Sequence, residues 1–67
     1  MSFKLERVRA DLRAGEAADA LQVSRQTLWR WENGKDNPSV KHLIKMAEVY
    51  GCTMEDLLNN ERRNNDR

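Results

Sequence analysis

The run from Val23 to Lys35 admits one kind of local structure, a short helix closed at both ends. Ser24 is a strong N-cap, because its hydroxyl can accept a hydrogen bond from a first-turn amide that has no helical partner. Gly34 sits where a helix stops, because it enters the left-handed region without a side-chain clash. Asn33-Gly34 reads as that stop and not as a hairpin turn, since a helix precedes it and no strand pattern follows. Leu28 and Trp31 lie three apart on one face and suit a core. Arg25, Gln26, Trp29, Arg30 and Asn33 project elsewhere, so the helix keeps a polar face free of packing.

The same punctuation continues along the chain. Ser2 can cap a first helix over about residues 3–10. A break at Leu12 to Gly15 precedes a second helix from about Gly15 to Leu21, apolar at Ala17, Ala18 and Leu21. Gln22, Val23 and Ser24 form a short turn before the third helix, from about Arg25 to Asn33. Gly34 to Pro38 is a loop dense in turn formers. Ser39 caps a fourth helix, with Leu43, Met46, Ala47 and Tyr50 on one face, and Gly51 stops it. Thr53, with Asp56 three residues on, resembles a capping box for a short fifth helix through Leu58. The tail from Asn59 to Arg67 has no apolar residue and is expected to be disordered. No strand pattern occurs. The reading is all-α, a compact five-helix domain over residues 1–58 followed by a polar tail over 59–67.

A chain of 67 residues builds only a small core. No disulfide can support it within one chain, because Cys52 is the only cysteine. A lone thiol fits a reducing cytosol, and Cys52 reads as a small buried apolar residue. There is no signal peptide and no apolar run long enough to cross a membrane, so a cytoplasmic location is expected. The chain lacks a Gly-rich phosphate loop, a metal-spaced cluster and a nucleophile beside a His base. Enzymatic function, a metal and a cofactor are therefore not expected. His42 is alone and reads as a solvated helix residue. Glu55 and Asp56 read as charges at a helix N-terminus rather than a catalytic dyad.

The net charge is only +1, whereas nucleic-acid binders are usually basic overall. Its distribution says more. Within residues 25–35, Arg25, Arg30 and Lys35 stand against Glu32 alone, while residues 14–24 carry only Glu16 and Asp19. Residues 1–13 also lean positive, with Lys4, Arg7, Arg9 and Arg13 against Glu6 and Asp11, which fits a solvated charged face. The cations thus coincide with the polar face of the third helix. Arg, Gln and Asn are the side chains that pair with base edges and phosphates.

These residues carry a family likeness. The pattern Ala17-Ala18-(x)2-Leu21-(x)-Val23-Ser24-(x)2-Thr27-Leu28-(x)2-Trp31-Glu32-(x)-Gly34-Lys35-(x)2-Pro38-Ser39 resembles the Cro/C1-type helix-turn-helix domains of phage repressors and related bacterial regulators. The likeness runs from about Phe3 to Leu58. It implies a lambda-repressor-like five-helix bundle, with helices two and three as the motif and helix three in the major groove of double-stranded DNA. It places Arg25, Gln26, Trp29 and Arg30 where the family reads bases, and Asn33 and Lys35 where it grips phosphate. Ser24 and Thr27, at the start of helix three, join the expected phosphate ligands. Arg7 falls where some members bury an arginine against a glutamate, here Glu32, as a structural ion pair. Physical chemistry agrees: a helix N-terminus favours phosphates, and the major groove alone distinguishes all four base pairs.

Several residues depart from the family pattern. Arg13 and Ala14 stand where Thr or Ser and then Gln are common, so a cap and a phosphate contact are expected to be lost. Arg13 can reach a phosphate instead, as a longer ligand. Gln22 replaces a frequent glycine, and a positive φ there costs about 1 kcal/mol. Asp11 replaces another and tolerates the left-handed region better. Trp29 stands where a small polar residue is usual. A thymine methyl or sugar, a protein partner, and neighbouring helix stems are all open as its contacts. In helix one, the ungapped register buries Phe3, Arg7 and Ala10 and leaves Leu5 partly exposed. Periodicity alone favours Leu5, Val8 and Leu12, and a two-residue deletion would give Arg9 the buried role. The ungapped register is preferred, because Phe3, Lys4, Arg7, Val8 and Leu12 then fall on family-like residues.

The resulting expectation is a sequence-specific DNA-binding transcriptional regulator, a repressor of phage or mobile-element type. It would bind two half-sites as a homodimer. Ile44, Val49, Met54 and Leu58 supply either a dimer patch or ordinary core edge. The alternative is a protein-interaction module on the same fold, an antirepressor or antitoxin-like partner, favoured by the weak charge, Ala14 and Trp29.

Overall fold

The computed structural model describes residues 2–58. They form α1 (Ser2–Arg9), α2 (Ala14–Leu21), α3 (Arg25–Glu32) and α4 (Val40–Tyr50), followed by α5 over 54–58. No strand occurs among the described residues. The tail expected to be disordered, residues 59–67, lies outside them. So does the side chain of Ser2, expected to cap α1.

Each start and stop has a local cause. Ser24 is extended, and its Oγ accepts from the Thr27 amide at 3.0 Å. Ser39 Oγ accepts from the His42 amide at 3.3 Å. At the last helix Thr53 Oγ1 accepts from the Asp56 amide at 2.9 Å, and Asp56 Oδ2 accepts from the Thr53 amide at 3.1 Å. That is a reciprocal capping box. α2 corrects one expectation. Arg13 at its N-cap has no acceptor to offer, but the Arg13 amide donates to Glu16 Oε1 at 2.8 Å. Only half of the cap is lost.

Single left-handed residues end the helices. Asp11 (φ 61°), Gln22 (φ 60°), Gly34 (φ 72°) and Gly51 (φ 69°) follow α1 to α4 in turn. Gln22 donates its amide to Ala18 and Asp19 carbonyls, so the turn is hydrogen-bonded although its residue is disfavoured. Helix bounds differ slightly from expectation. α1 already includes Ser2, α2 begins at Ala14, and α3 ends at Glu32 with Asn33 as its C-cap, one residue short of 25–33.

The core gathers Phe3, Ala17, Ala18, Leu21, Leu28, Trp31, Met46, Tyr50 and Leu57. α2 packs on α3 and α4, and α1 packs on the same two helices. Leu28 is fully buried, which contributes about 1.5–3 kcal/mol relative to exposure. In α1 the ungapped register holds. Phe3 and Arg7 are buried, whereas Leu5 is 44% and Val8 55% exposed. Ala10, expected buried, and Leu12, which periodicity favours, are both half-buried against the core, so of the periodic set only Leu5 and Val8 stay outside. Of the charges over residues 1–13, Lys4, Arg9, Asp11 and Arg13 are exposed, as a solvated face requires, whereas Glu6 and Arg7 are buried.

Candidate nucleic-acid interface

α3 divides its residues cleanly. Leu28, Trp31 and Glu32 are buried, and Arg25, Gln26, Trp29 and Arg30 are exposed. Positions 25 and 29, and 26 and 30, are helical neighbours four apart, so the exposed set forms one continuous face. Trp29 is 54% exposed, a large apolar area on a polar face. It borders a recess that Lys4, Ala14, Arg25 and Asn33 also line. Arg25 reaches back over the start of α2 and lies against Gly15.

The residues expected at phosphates surround this face at its ends. Ser24 Oγ accepts from the Thr27 amide and lies 2.9 Å from Thr27 Oγ1, to which it donates. Its hydrogen is thereby used, and Thr27 keeps a hydroxyl hydrogen to offer. Asn33 Nδ2 donates to the Trp29 carbonyl at 2.8 Å, closing the end of α3. The Lys35 amide donates to the Arg30 carbonyl at 2.8 Å, which folds the chain back and leaves the Lys35 side chain exposed. Arg13 is exposed at the start of α2. Arg30 Nε lies 3.9 Å from Asp36 Oδ2 with both side chains exposed, a pair that contributes little and breaks easily.

The face is held from behind by an ion pair. Arg7 Nε donates to Glu32 Oε2 at 2.7 Å, and Arg7 Nη2 donates to Glu32 Oε1 at 3.3 Å. Arg7 Nη1 donates to the Leu12 carbonyl at 2.9 Å. One guanidinium thus joins α1, the loop after it, and α3. Its hydrogen bond to Glu32 pushes the Arg7 pKa up, against the opposing effect of burial.

Two features, at His42 and Tyr50, escaped the sequence reading. His42 is not simply a solvated residue. Its ring packs on Trp31 with centroids 5.0 Å apart and a tilt of 54°, and its Nδ1 lies 2.9 Å from Ser39 Oγ. Periodicity within one helix carries no signal for an aromatic contact between two helices. The Tyr50 hydroxyl is buried without a hydrogen-bond partner, and burial first, then the Glu32 charge, pushes its pKa up to about 12. Cys52 is half-buried, and burial pushes its thiol up. Of the expected dimer patch, Ile44 and Leu58 are exposed, whereas Val49 and Met54 are half-buried and Val49 packs on the core. No helix is long and apolar enough to cross a membrane, and no cluster could hold a metal, among the described residues.

Comparison with known proteins agrees with this geometry. The helix-turn-helix family model matches residues 3–57. An uncharacterized HTH-type transcriptional regulator of Methanocaldococcus jannaschii is 41% identical over 59 residues, spanning 85% of this chain and 89% of that protein. An HTH-type transcriptional regulator of Deinococcus deserti is 43% identical over 47 residues, 70% of this chain and 36% of the relative. The cryptic phage CTXphi transcriptional repressor RstR of Vibrio cholerae is 30% identical over 60 residues, 90% of this chain and 54% of the relative. No solved structure matches the chain. With its helix order, its capped third helix and its match over 3–57 together, the chain belongs to the Cro/C1-type helix-turn-helix family of DNA-binding transcription regulators.

Proposed function

We propose that the chain is a sequence-specific repressor of phage or mobile-element type that lays α3 in the major groove of double-stranded DNA. The observation that carries this reading is the continuous exposed face of Arg25, Gln26, Trp29 and Arg30 on a helix anchored through Leu28, Trp31 and Glu32. In this reading Arg25 and Arg30 pair with guanine, Gln26 pairs with adenine, and Trp29 lies against a thymine methyl or sugar. Arg13, Thr27, Asn33 and Lys35 hold the flanking phosphates and set the register, while Ser24, expected among them, gives its hydroxyl hydrogen to Thr27 and so orients that ligand. Arg7 and Glu32 are structural and touch no DNA. The repressor assignment rests on the name of the Vibrio cholerae relative.

The protein acts by binding rather than catalysis, in the cytoplasm, as a homodimer on two half-sites about one helical turn apart. Ile44 and Leu58 are the exposed apolar side chains of its dimer patch.

Selection from randomised duplexes with the purified protein tests the reading. One duplex family is expected to bind about a thousand-fold more tightly than bulk DNA, with affinity falling steeply as salt rises. If no duplex is enriched even at low salt, the proposed function is wrong. Arg30→Ala should weaken specific binding by about 1–3 kcal/mol and relax preference at one base pair. Lys35→Ala should weaken binding to all sequences alike, and a loss confined to one duplex removes Lys35 from the phosphate set.

A further inference from the structure

Gly15 has no conformational reason to be glycine. It lies inside α2, and the glycines with positive φ are Gly34 and Gly51. Within a helix, glycine is weaker than alanine because it loses more backbone freedom on folding. What Gly15 has instead is a close neighbour. A methyl group placed on its Cα would stand 2.6 Å from Arg25 Nη2, 2.9 Å from Arg25 Nε and 3.1 Å from Arg25 Cζ. The guanidinium therefore fills the space that any side chain at position 15 would need. Glu16, Asp19 and Arg13 line the same recess; the two carboxylates favour a cation there and the Arg13 guanidinium opposes it, which leaves a net attraction. No hydrogen bond or ion pair among the described residues engages the Arg25 guanidinium. Its donors stay available, and its recorded neighbour is the bare Cα of Gly15.

We propose that Gly15 is a positioning residue for base reading: its bare Cα seats Arg25 at the seam between α2 and α3 and fixes the direction from which Arg25 meets DNA. This rests on the proposed role of α3. Alanine at position 15 suits the α2 backbone but takes the guanidinium's place. The flexible end of the arginine then moves while the helix stays. Specificity changes at a position that touches no base.

The test compares Gly15→Ala, Arg25→Ala and the double substitution in the full chain. Thermal unfolding is measured, with binding to the duplex enriched by the wild-type protein and a fresh selection for each variant. Gly15→Ala is expected to unfold at or above the wild-type temperature. It should bind the wild-type duplex about ten-fold more weakly and change its preference at the same base pair as Arg25→Ala. In the Arg25→Ala background, Gly15→Ala should alter binding by less than about two-fold. Unchanged affinity and preference in Gly15→Ala overturn the proposal, as does an effect that persists without Arg25. Failure of the wild-type protein to enrich any duplex refutes the proposed function itself, whereas failure confined to the variants refutes only the positioning role. A readout without DNA stands beside these. The free protein should show a nuclear Overhauser contact between the Arg25 Nε proton and the Gly15 α-protons, and its absence refutes the seating directly.

Discussion

Replacing Arg7 with methionine removes a side chain that ties α1, the α1–α2 loop and α3 together. Methionine fills much of the arginine stem's volume, so the loss is mainly of charge and hydrogen bonds. Glu32, only 8% exposed, would lose donors at 2.7 and 3.3 Å. An uncompensated buried charge of this kind costs about 3–5 kcal/mol. The Leu12 carbonyl would lose its donor at 2.9 Å as well, adding about 1 kcal/mol. A single core of this size supplies about 3–5 kcal/mol in all, so Arg7→Met is expected to be largely unfolded without DNA at 25 °C. Urea unfolding followed by far-ultraviolet circular dichroism measures this. The paired substitution Arg7→Met with Glu32→Leu removes both charges, and it should recover at least about 2 kcal/mol relative to Arg7→Met alone. A single variant within about 1 kcal/mol of wild type, or a double variant no more stable than the single, refutes the reasoning.

Two further outcomes follow from strained or buried groups. Gln22 is exposed at φ 60°, so Gln22→Gly relieves left-handed strain while losing little contact. After the entropy of glycine is set against that relief of about 1 kcal/mol, a gain of up to about 0.6 kcal/mol remains, read as a rise in melting temperature of up to about 4 °C. Tyr50 is the only tyrosine, and burial raises its folded pKa from 10.0 to about 12. The folded state therefore holds its phenolic proton more tightly than the unfolded state. That contribution to stability is complete below about pH 10 and is lost as pH rises through about 12. Phenolate absorbance should stay flat near pH 10 in the folded protein and rise there once it is unfolded in urea. A normal titration in the folded chain would contradict the burial of the Tyr50 hydroxyl.

Local punctuation made the helices legible. Ser24, Ser39 and the Thr53–Asp56 box act within three residues of themselves, and their geometry in the structure follows from the chemistry of those side chains. The third helix showed its buried and exposed halves for the same reason. α1 was ambiguous because its decisive partner, Glu32, is 25 residues away, and no period within α1 encodes it. The resemblance to a family settled the register where hydrophobic spacing pointed the other way. The burial of Glu6, the Trp31–His42 contact and the seat of Arg25 on Gly15 were not legible. Each depends on how two helices meet, and a composition of short amphipathic segments leaves that angle open.

α3 is fastened at both ends by groups other than those it displays. Ser24 holds the first turn and Glu32 the last, while Leu28 and Trp31 fix the face between them. None of these anchors belongs to the set of Arg25, Gln26, Trp29 and Arg30. The fold is therefore insulated from the identity of the side chains it displays. A lineage can retarget such a domain to a new operator by single substitutions on the outer face without passing through unstable intermediates. The seat of Arg25 on Gly15 is the exception: there a change of target and a change of scaffold are coupled.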